Sequence, residues 1–236
     1  MQKILFNGCS QTEVGNLDYL ENWQDYTWPH LLAKSLNCTY KNLAITLSDN
    51  SRIFSTTLNE ILLDPPDIVI IGWTAPNRKQ LPLANGDIAR LGPESCITDN
   101  ATITEELNKH WYSVHQNEWL SYIETLEYMV AIKSICMDYN CKAYYFNAIT
   151  SNNLNNLIEH SFKVKVKHLS PRLVRPDIDK AKRLVDSLND VSWLLEQHDS
   201  LLQYCHKNKL EMDKWGHPAE NSQQHIADYF KEQIHV

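Results

Sequence analysis

Asp67-Ile-Val-Ile-Ile-Gly72 is the stretch that decides the fold. Its four successive β-branched residues leave no polar face, and Pro65-Pro66 ahead and Gly72 behind keep the run too short for a helix. A strand with one wet face would alternate apolar and polar residues. One that is apolar on both faces belongs inside a parallel sheet covered by helices above and below.

The flanking sequence fits that sheet. Upstream, Asp49 or Asn50 can cap a helix carrying Ile53, Leu58, Ile61 and Leu62, which stops before Pro65. Before it, Thr39 to Ala44 reads as a second strand, and Trp28 to Leu36 as a helix with Pro29 in its first turn. The first strand is Lys3-Ile-Leu-Phe-Asn7, closed by Gly8. The order strand, helix, strand, helix, strand predicts a doubly wound α/β domain.

Downstream, the pattern fails from Trp73 to about His115, where Pro76, Pro82, Gly86, Gly92 and Pro93 interrupt it. A stretch this long inside a compact domain is usually functional or an insertion with short elements of its own, so 73–115 is expected to form a lid or pocket wall. Glu118 to Tyr139 then reads as an amphipathic helix, with Leu120, Ile123, Leu126, Val130 and Ile135 among its apolar positions. Cys141 to Asn147 reads as a fourth strand. Residues 150–177 are irregular, with an Asn-rich run at 151–156 and breaks at Pro171 and Pro176. Helical patterns follow at Lys180 to Leu188, Val191 to His206 and Ala219 to Ile234. With no repeat or linker to cut the chain, residues 1–236 are expected to form one domain, a three-layer sandwich with a central parallel sheet flanked by helices.

Composition excludes several function classes. The net charge of −7 and the scattered basic residues argue against nucleic-acid binding, which needs a clustered basic surface. The one short run, Lys163-Val-Lys165-Val-Lys167-His168, alternates with apolar residues and reads as a strand with one solvated face. No apolar run approaches the ~18 residues of a membrane span, and Met1 to Gly8 lacks a signal-peptide core, so a cytoplasmic protein without a membrane partner is expected. Six cysteines with no CxxC pair fit reduced thiols better than a zinc site or a disulfide frame.

Two short segments could carry chemistry. Gly8-Cys9-Ser10-Gln11-Thr12 lies where the first strand ends, and in open α/β sheets ligands gather outside the carboxyl ends of strands. Ser10 there can act as a nucleophile or merely cap the next helix, and Cys9 is the rival nucleophile or a small packed residue. The other segment is Asp213-Lys-Trp-Gly-His217-Pro218, just before the last helical pattern. A serine hydroxyl needs an imidazole to take its proton, and the imidazole needs a carboxylate to fix its tautomer. His217 and Asp213 supply both groups. Separately, His217 and His225 could contribute to a metal site, but no third ligand is evident, and no metal or other cofactor is expected.

Gly-x-Ser after the first strand together with Asp-His-Pro before the last helix resembles the SGNH, or GDSL-like, serine hydrolases. The sequence is similar to small bacteriophage and bacterial members whose first block often reads Phe-Gly-Cys-Ser. Trp28-Pro29-His30-Leu31-Leu32-Ala33, Asn42-Leu43-Ala44, Ser48-Asp49-Asn50 and Ile71-Gly72-Trp73-Thr74 with Arg78 carry the likeness further. It touches residues 3–78 and 211–234 and implies a flavodoxin-like α/β sandwich. It also implies Ser10 as nucleophile, His217 as base and Asp213 as the group orienting the base.

The family's oxyanion hole uses the nucleophile's N–H, a glycine N–H in the second block and an asparagine amide in the third. Here the glycine position falls on Leu47 and the asparagine position on Thr74, so Asn50 or Asn77 would have to supply the amide. The family's aspartate stands three residues before the histidine, a place held by Lys214, which shifts the role to Asp213. Trp73, Arg78 and Trp215 are the candidates for substrate contact, since aromatics and an arginine near strand ends can line a carbohydrate or acyl pocket. Trp111, Tyr112 and Trp119 are further aromatics of interest.

The function implied is a serine esterase or deacetylase removing a small acyl group from a carbohydrate or other polar ester. Transfer of the acyl group to an acceptor other than water would use the same residues. The alternative is a catalytically inactive binding or assembly module that keeps the fold, suggested by the missing third-block asparagine and the shifted aspartate.

Overall fold

The computed structural model describes residues 1–14, 17, 21–84, 86, 88–92, 96–97, 101–115, 118–149, 178–195 and 199–234. In chain order, β1 (Lys3–Asn7), α1 (Ser10–Glu13), α2 (Trp28–Ser35), β2 (Thr39–Asn42), α3 (Asn50–Leu63) and β3 (Ile68–Trp73) form the first half. There follow β4 (Lys79–Pro82), β5 (Ile88–Leu91), β6 (Cys96–Ile97), α4 (Ala101–His110), a π-helical turn at Trp111–His115 and α5 (Glu118–Asp138). The last elements are β7 (Lys142–Asn147), α6 (Ile178–Asp186), β8 (Ser192–Trp193), α7 (Leu201–Lys207) and α8 (Glu220–Gln233).

Five strands form one sheet in the order β2-β1-β3-β7-β8, and every pairing in it is parallel. All six residues of β3 are buried, as the apolar run at 67–72 requires. Alternation sorts the side chains between two cores. Ile4, Phe6, Ile68, Ile70 and Phe146 face α2 and α8, where Trp28, Leu32, Ile226 and Phe230 meet them. Leu5, Val69, Ile71, Trp73 and Tyr145 face the other side, against Ile53 and Ile61 of α3 and Met129 and Ile132 of α5. Each such side chain contributes about 1.5–3 kcal/mol by leaving water, so the two-faced burial holds the three layers together.

Several expected boundaries move. The second strand ends at Asn42 rather than Ala44, because the Asn42 side chain donates to Thr12 O (3.0 Å) and accepts from Ala44 N (3.1 Å), turning the chain. The single helix expected over Val191 to His206 is instead β8 and α7. Ser192 and Trp193 pair with Tyr144 and Tyr145, and Ser200 opens α7 with a capping box to Gln203. Residues 73–115 carry an antiparallel sheet of order β4-β5-β6, followed by α4 and the π-turn. The lysine run at 163–167 and the Asn-rich segment lie outside the described residues. No helix among those described is long and apolar enough to cross a membrane, and the five cysteines whose side chains are described are free thiols.

Candidate active site

Because the sheet is parallel, the segments leaving β1, β2 and β3 emerge at one edge. The first is held very tightly. A Cβ on Gly8 would stand 2.4 Å from Thr12 Oγ1, and one on Gly72 would stand 2.5 Å from Phe146 Cζ and 2.7 Å from Thr12 Oγ1. Only glycine fits at either place, so β1 and β3 can close beneath the loop. Asn7 fixes the same corner. It is fully buried, its amide donates to Ile53 O, Thr56 Oγ1 and Thr57 Oγ1 of α3, and its Oδ1 accepts from Gly8 N.

Ser10 is the first residue of α1 and not its cap. Cys9 holds the cap position, makes no side-chain cap bond and is buried. Ser10 is 6% exposed. As a first-turn residue its N–H has no intrahelical acceptor.

The Asp213–His217 turn closes on itself. Asp213 Oδ1 accepts from both Trp215 N and His217 N at 2.8 Å, and Asp213 N donates to His217 O at 2.8 Å. Gly216, at φ +79°, supplies the left-handed step that lets the turn accommodate one residue more than the family spacing. This brings His217 Nδ1 to 3.2 Å from Asp213 Oδ2. Burial pushes the Asp213 carboxyl's pKa up. The two amide donors and the neighbouring imidazole outweigh that effect and hold it below the ordinary value. His217 Nε2 is left without a protein partner among the described residues.

The two ends of the chain meet through Gln11, next to Ser10, whose Nε2 donates to Gly216 O at 2.8 Å. Gln11 O in turn accepts from Trp28 Nε1 (2.9 Å), Gln223 Oε1 accepts from Trp28 N (3.0 Å), and Gln223 Nε2 donates to Pro218 O (2.6 Å). Gln11, Trp28 and Gln223 therefore brace the serine helix against the histidine turn. No hydrogen bond joins Ser10 Oγ directly to the His217 ring in this structure.

The candidate oxyanion donors divide sharply. Asn50 is committed: its amide donates to Thr74 O (3.1 Å) and Thr125 Oγ1 (3.0 Å), and its Oδ1 accepts from Thr74 N (3.0 Å). The Asn50 side chain and the Thr74 backbone thus satisfy each other and leave no side-chain amide hydrogen for a ligand, while Thr74 Oγ1 is buried without a partner. Leu47 sits at φ +58°, the left-handed conformation that glycine adopts without cost, and its N–H finds no acceptor among the described residues. Asn77 makes no side-chain hydrogen bond among the described residues, and its amide oxygen is buried without a partner.

Of the candidate substrate contacts, Trp73 is fully buried and packs edge-on against Tyr145 at 5.7 Å, so its ring belongs to the core. Trp215 is 73% exposed beside His217, with Lys214 Nζ 5.1 Å from its ring centre. Arg78 follows a turn closed onto Ala75 O and is half-buried. Trp119 is buried in the core facing α3, whereas Tyr112 Oη donates to Asn77 O at 2.6 Å. His225 bonds Tyr204 Oη at 3.0 Å, away from His217. Among the described residues no group of three His, Cys, Asp or Glu side chains could hold a metal.

No family model matches the sequence, and no curated protein matches it. Solved structures do. TesA superposes with a TM-score of 0.53 at 12% identity over 98% of this chain and 97% of its own. The psychrotrophic esterase EstA from Pseudoalteromonas sp., inhibited by monoethylphosphonate, gives 0.52 at 13% identity over 99% and 97%. The acetyl xylan esterase AlAXEase gives 0.53 at 14% identity over 99% and 100%. Likeness at this identity speaks to architecture, and with the β2-β1-β3-β7-β8 parallel sheet and a serine at the end of its first strand, the chain has the SGNH-hydrolase fold.

Proposed function

We propose that the chain is a serine ester hydrolase that removes a small acyl group from a polar ester, such as an acylated carbohydrate, through an acyl-enzyme. The observation that carries this reading is the closed Asp213–His217 turn, with the carboxylate on Nδ1 and a bond from Gln11 tying it to the helix that Ser10 begins. That the solved structures sharing this fold include esterases adds support.

In this reading Ser10 Oγ attacks the ester carbonyl while His217 Nε2 takes its proton. Asp213 keeps the ring proton on Nδ1 and stabilises the imidazolium. The N–H groups of Ser10 and Leu47 and the amide of Asn77 receive the oxyanion. Loss of one such donor typically costs about 2.7–4 kcal/mol of transition-state stabilisation. His217 then protonates the departing alcohol, and water, deprotonated by the same ring, releases the acid and frees Ser10. Trp215, exposed beside His217, is suited to stack on a sugar ring.

A second reading, a non-catalytic binding module, is favoured by the commitment of Asn50 to Thr74 and by the absence of a direct Ser10–His217 bond. One experiment separates them. A fluorophosphonate probe followed by peptide mapping should label Ser10 in the wild type and nothing in Ser10→Ala, whereas a non-catalytic module would not be labelled at all.

A further inference from the structure

The β4–β5 hairpin and the turn before it carry two arginines, each with one guanidinium nitrogen buried without a hydrogen-bond partner among the described residues. Gln80 lies opposite Arg90 in the β4–β5 register, and Pro82 opposite Ile88, so these side chains share one face of the hairpin. Arg78 comes just before β4, where its N–H closes a turn onto Ala75 O. The face looks toward the Leu47 loop: Gln80 Nε2 reaches Leu47 O (3.3 Å), and Gln80 N donates to Asp49 Oδ2 (2.8 Å). A cleft of about 240 Å³ opens along it between Gln80, Ile88, Asp49 and Arg52.

Arg78 Nη1 and Arg90 Nε are shut off from water and have no hydrogen-bond partner. A guanidinium nitrogen buried without an acceptor is among the costliest groups a fold can hold, and buried charge is ordinarily paired. No carboxylate among the described residues forms an ion pair with either arginine. Asp49 and Glu13, the carboxylates that act on Arg52, spend their oxygens on backbone and hydroxyl donors. Asp49 accepts from the N–H groups of Arg52 and Gln80 and from Ser51 Oγ, and Glu13 accepts from Thr46 N. Arg52 lies close by, and burial, then the like charge of Arg90, holds its guanidinium below its ordinary pKa. Arg52 Nη1 is engaged by Leu43 O and Ser48 Oγ, so the idle donors are Arg78 Nη1 and Arg90 Nε, and the like charges of Arg52 and Arg90 leave this region short of an anion.

We propose that Arg78 and Arg90 form an oxyanion-binding wall beside the Leu47 loop, and that the ester this protein cleaves carries a carboxylate or phosphate held there. The inference rests on the hydrolase reading for its substrate but not for the binding itself. The wall selects among polar esters: a neutral ester leaves Arg78 Nη1 and Arg90 Nε unsatisfied, whereas an anionic one engages the two guanidinium groups.

Two measurements on the full chain test this, one of them independent of catalysis. In a thermal melt at matched ionic strength, inorganic phosphate or succinate at ten times its dissociation constant should raise the Tm of the wild type by about 3–6 °C. Arg90→Gln and Arg78→Gln should abolish the rise, and the anion giving the larger shift identifies the carboxylate or the phosphate class. In the second measurement, the ratio of kcat/KM for 4-nitrophenyl hemisuccinate to that for 4-nitrophenyl butyrate should fall at least about tenfold in Arg90→Gln, because a bidentate arginine–carboxylate pair is lost. The proposal is overturned if neither anion raises the Tm, or if both variants keep the rise. If anions bind but neither ester is cleaved, the anion wall stands and the hydrolase reading falls.

Discussion

Replacing Asp213 by Asn isolates what the carboxylate does, because shape is kept while charge and one acceptor are lost. In the variant, Oδ1 can still accept from Trp215 N and His217 N, so the turn should persist. Those two bonds lose their charge assistance. With the carboxylate side chain 22% exposed, solvent screening limits the loss of stability to about 1 kcal/mol. The catalytic effect should be larger. At 3.2 Å from His217 Nδ1, the new Nδ2 is a donor where an acceptor stood, so the ring proton moves to Nε2, the nitrogen that receives the Ser10 proton in the proposed mechanism. The same exchange in a fully buried serine-protease triad costs ~10⁴ in kcat. This contact is longer and partly solvated, so a fall of about 10²–10³, or 2.7–4 kcal/mol, is expected. Steady-state hydrolysis of 4-nitrophenyl acetate, read beside a urea melt, separates the two effects. A variant that keeps kcat within about threefold while the turn stays folded would show that Asp213 does not set the tautomer.

Further outcomes follow from the same geometry. Gly72→Ala places a methyl 2.5 Å from Phe146 Cζ and 2.7 Å from Thr12 Oγ1, and should destabilise by about 1–3 kcal/mol in denaturant melts; an unchanged midpoint would refute the close-packing argument. Leu47→Gly removes the left-handed strain but also a buried side chain, for a net loss of about 1 kcal/mol, and should raise 4-nitrophenyl butyrate hydrolysis relative to acetate; an unchanged ratio would mean Leu47 does not wall the pocket. Because the folded Asp213 pKa lies below the unfolded value of about 3.9, its stabilising contribution is complete above that value. It is lost as pH falls through the lowered folded value, so the wild type and Asp213→Asn should converge in Tm only in acid. Burial pushes the Cys136 and Cys205 thiols up to about 12, so iodoacetamide at neutral pH should modify them only as fast as the chain unfolds; rapid labelling of the folded protein would contradict their burial.

The sheet was legible because its signal is local. Ile68 to Ile71 are apolar on both faces whatever surrounds them, and the helix starts marked by the Asp49 cap and by Pro29 in the first turn of α2 are written within a few residues. Elements made by pairing were harder to read. Ser192–Trp193 looks helical by composition and becomes a strand only because Tyr144 and Tyr145 offer an edge. The serine and the Asp–His turn carried chemistry in their residue types. Gln11, Trp28, Gln223 and Asn7, which brace them, carried none that a sequence reveals, because their meaning lies in contacts such as Trp28 to Gln223, 195 residues apart. Arg90 escaped notice for the same reason: its register opposite Gln80 exists only in the folded hairpin. Asn50 failed in the opposite direction. A free amide near the site looked available, and the fold spends both of its hydrogens on Thr74 and Thr125.

The bond from Gln11 to Gly216 spans 205 positions, and this separation has a consequence for how the protein is made. At 5–20 residues per second, the ribosome adds Gly216 roughly 10–40 s after Gln11. Once Trp73 has been added, roughly 3–12 s into that interval, β1, β2 and β3 can pair and present the serine while the imidazole does not yet exist. A nascent or prematurely terminated chain therefore displays a folded edge with an unactivated hydroxyl, and any reactivity would switch on only when synthesis has passed His217.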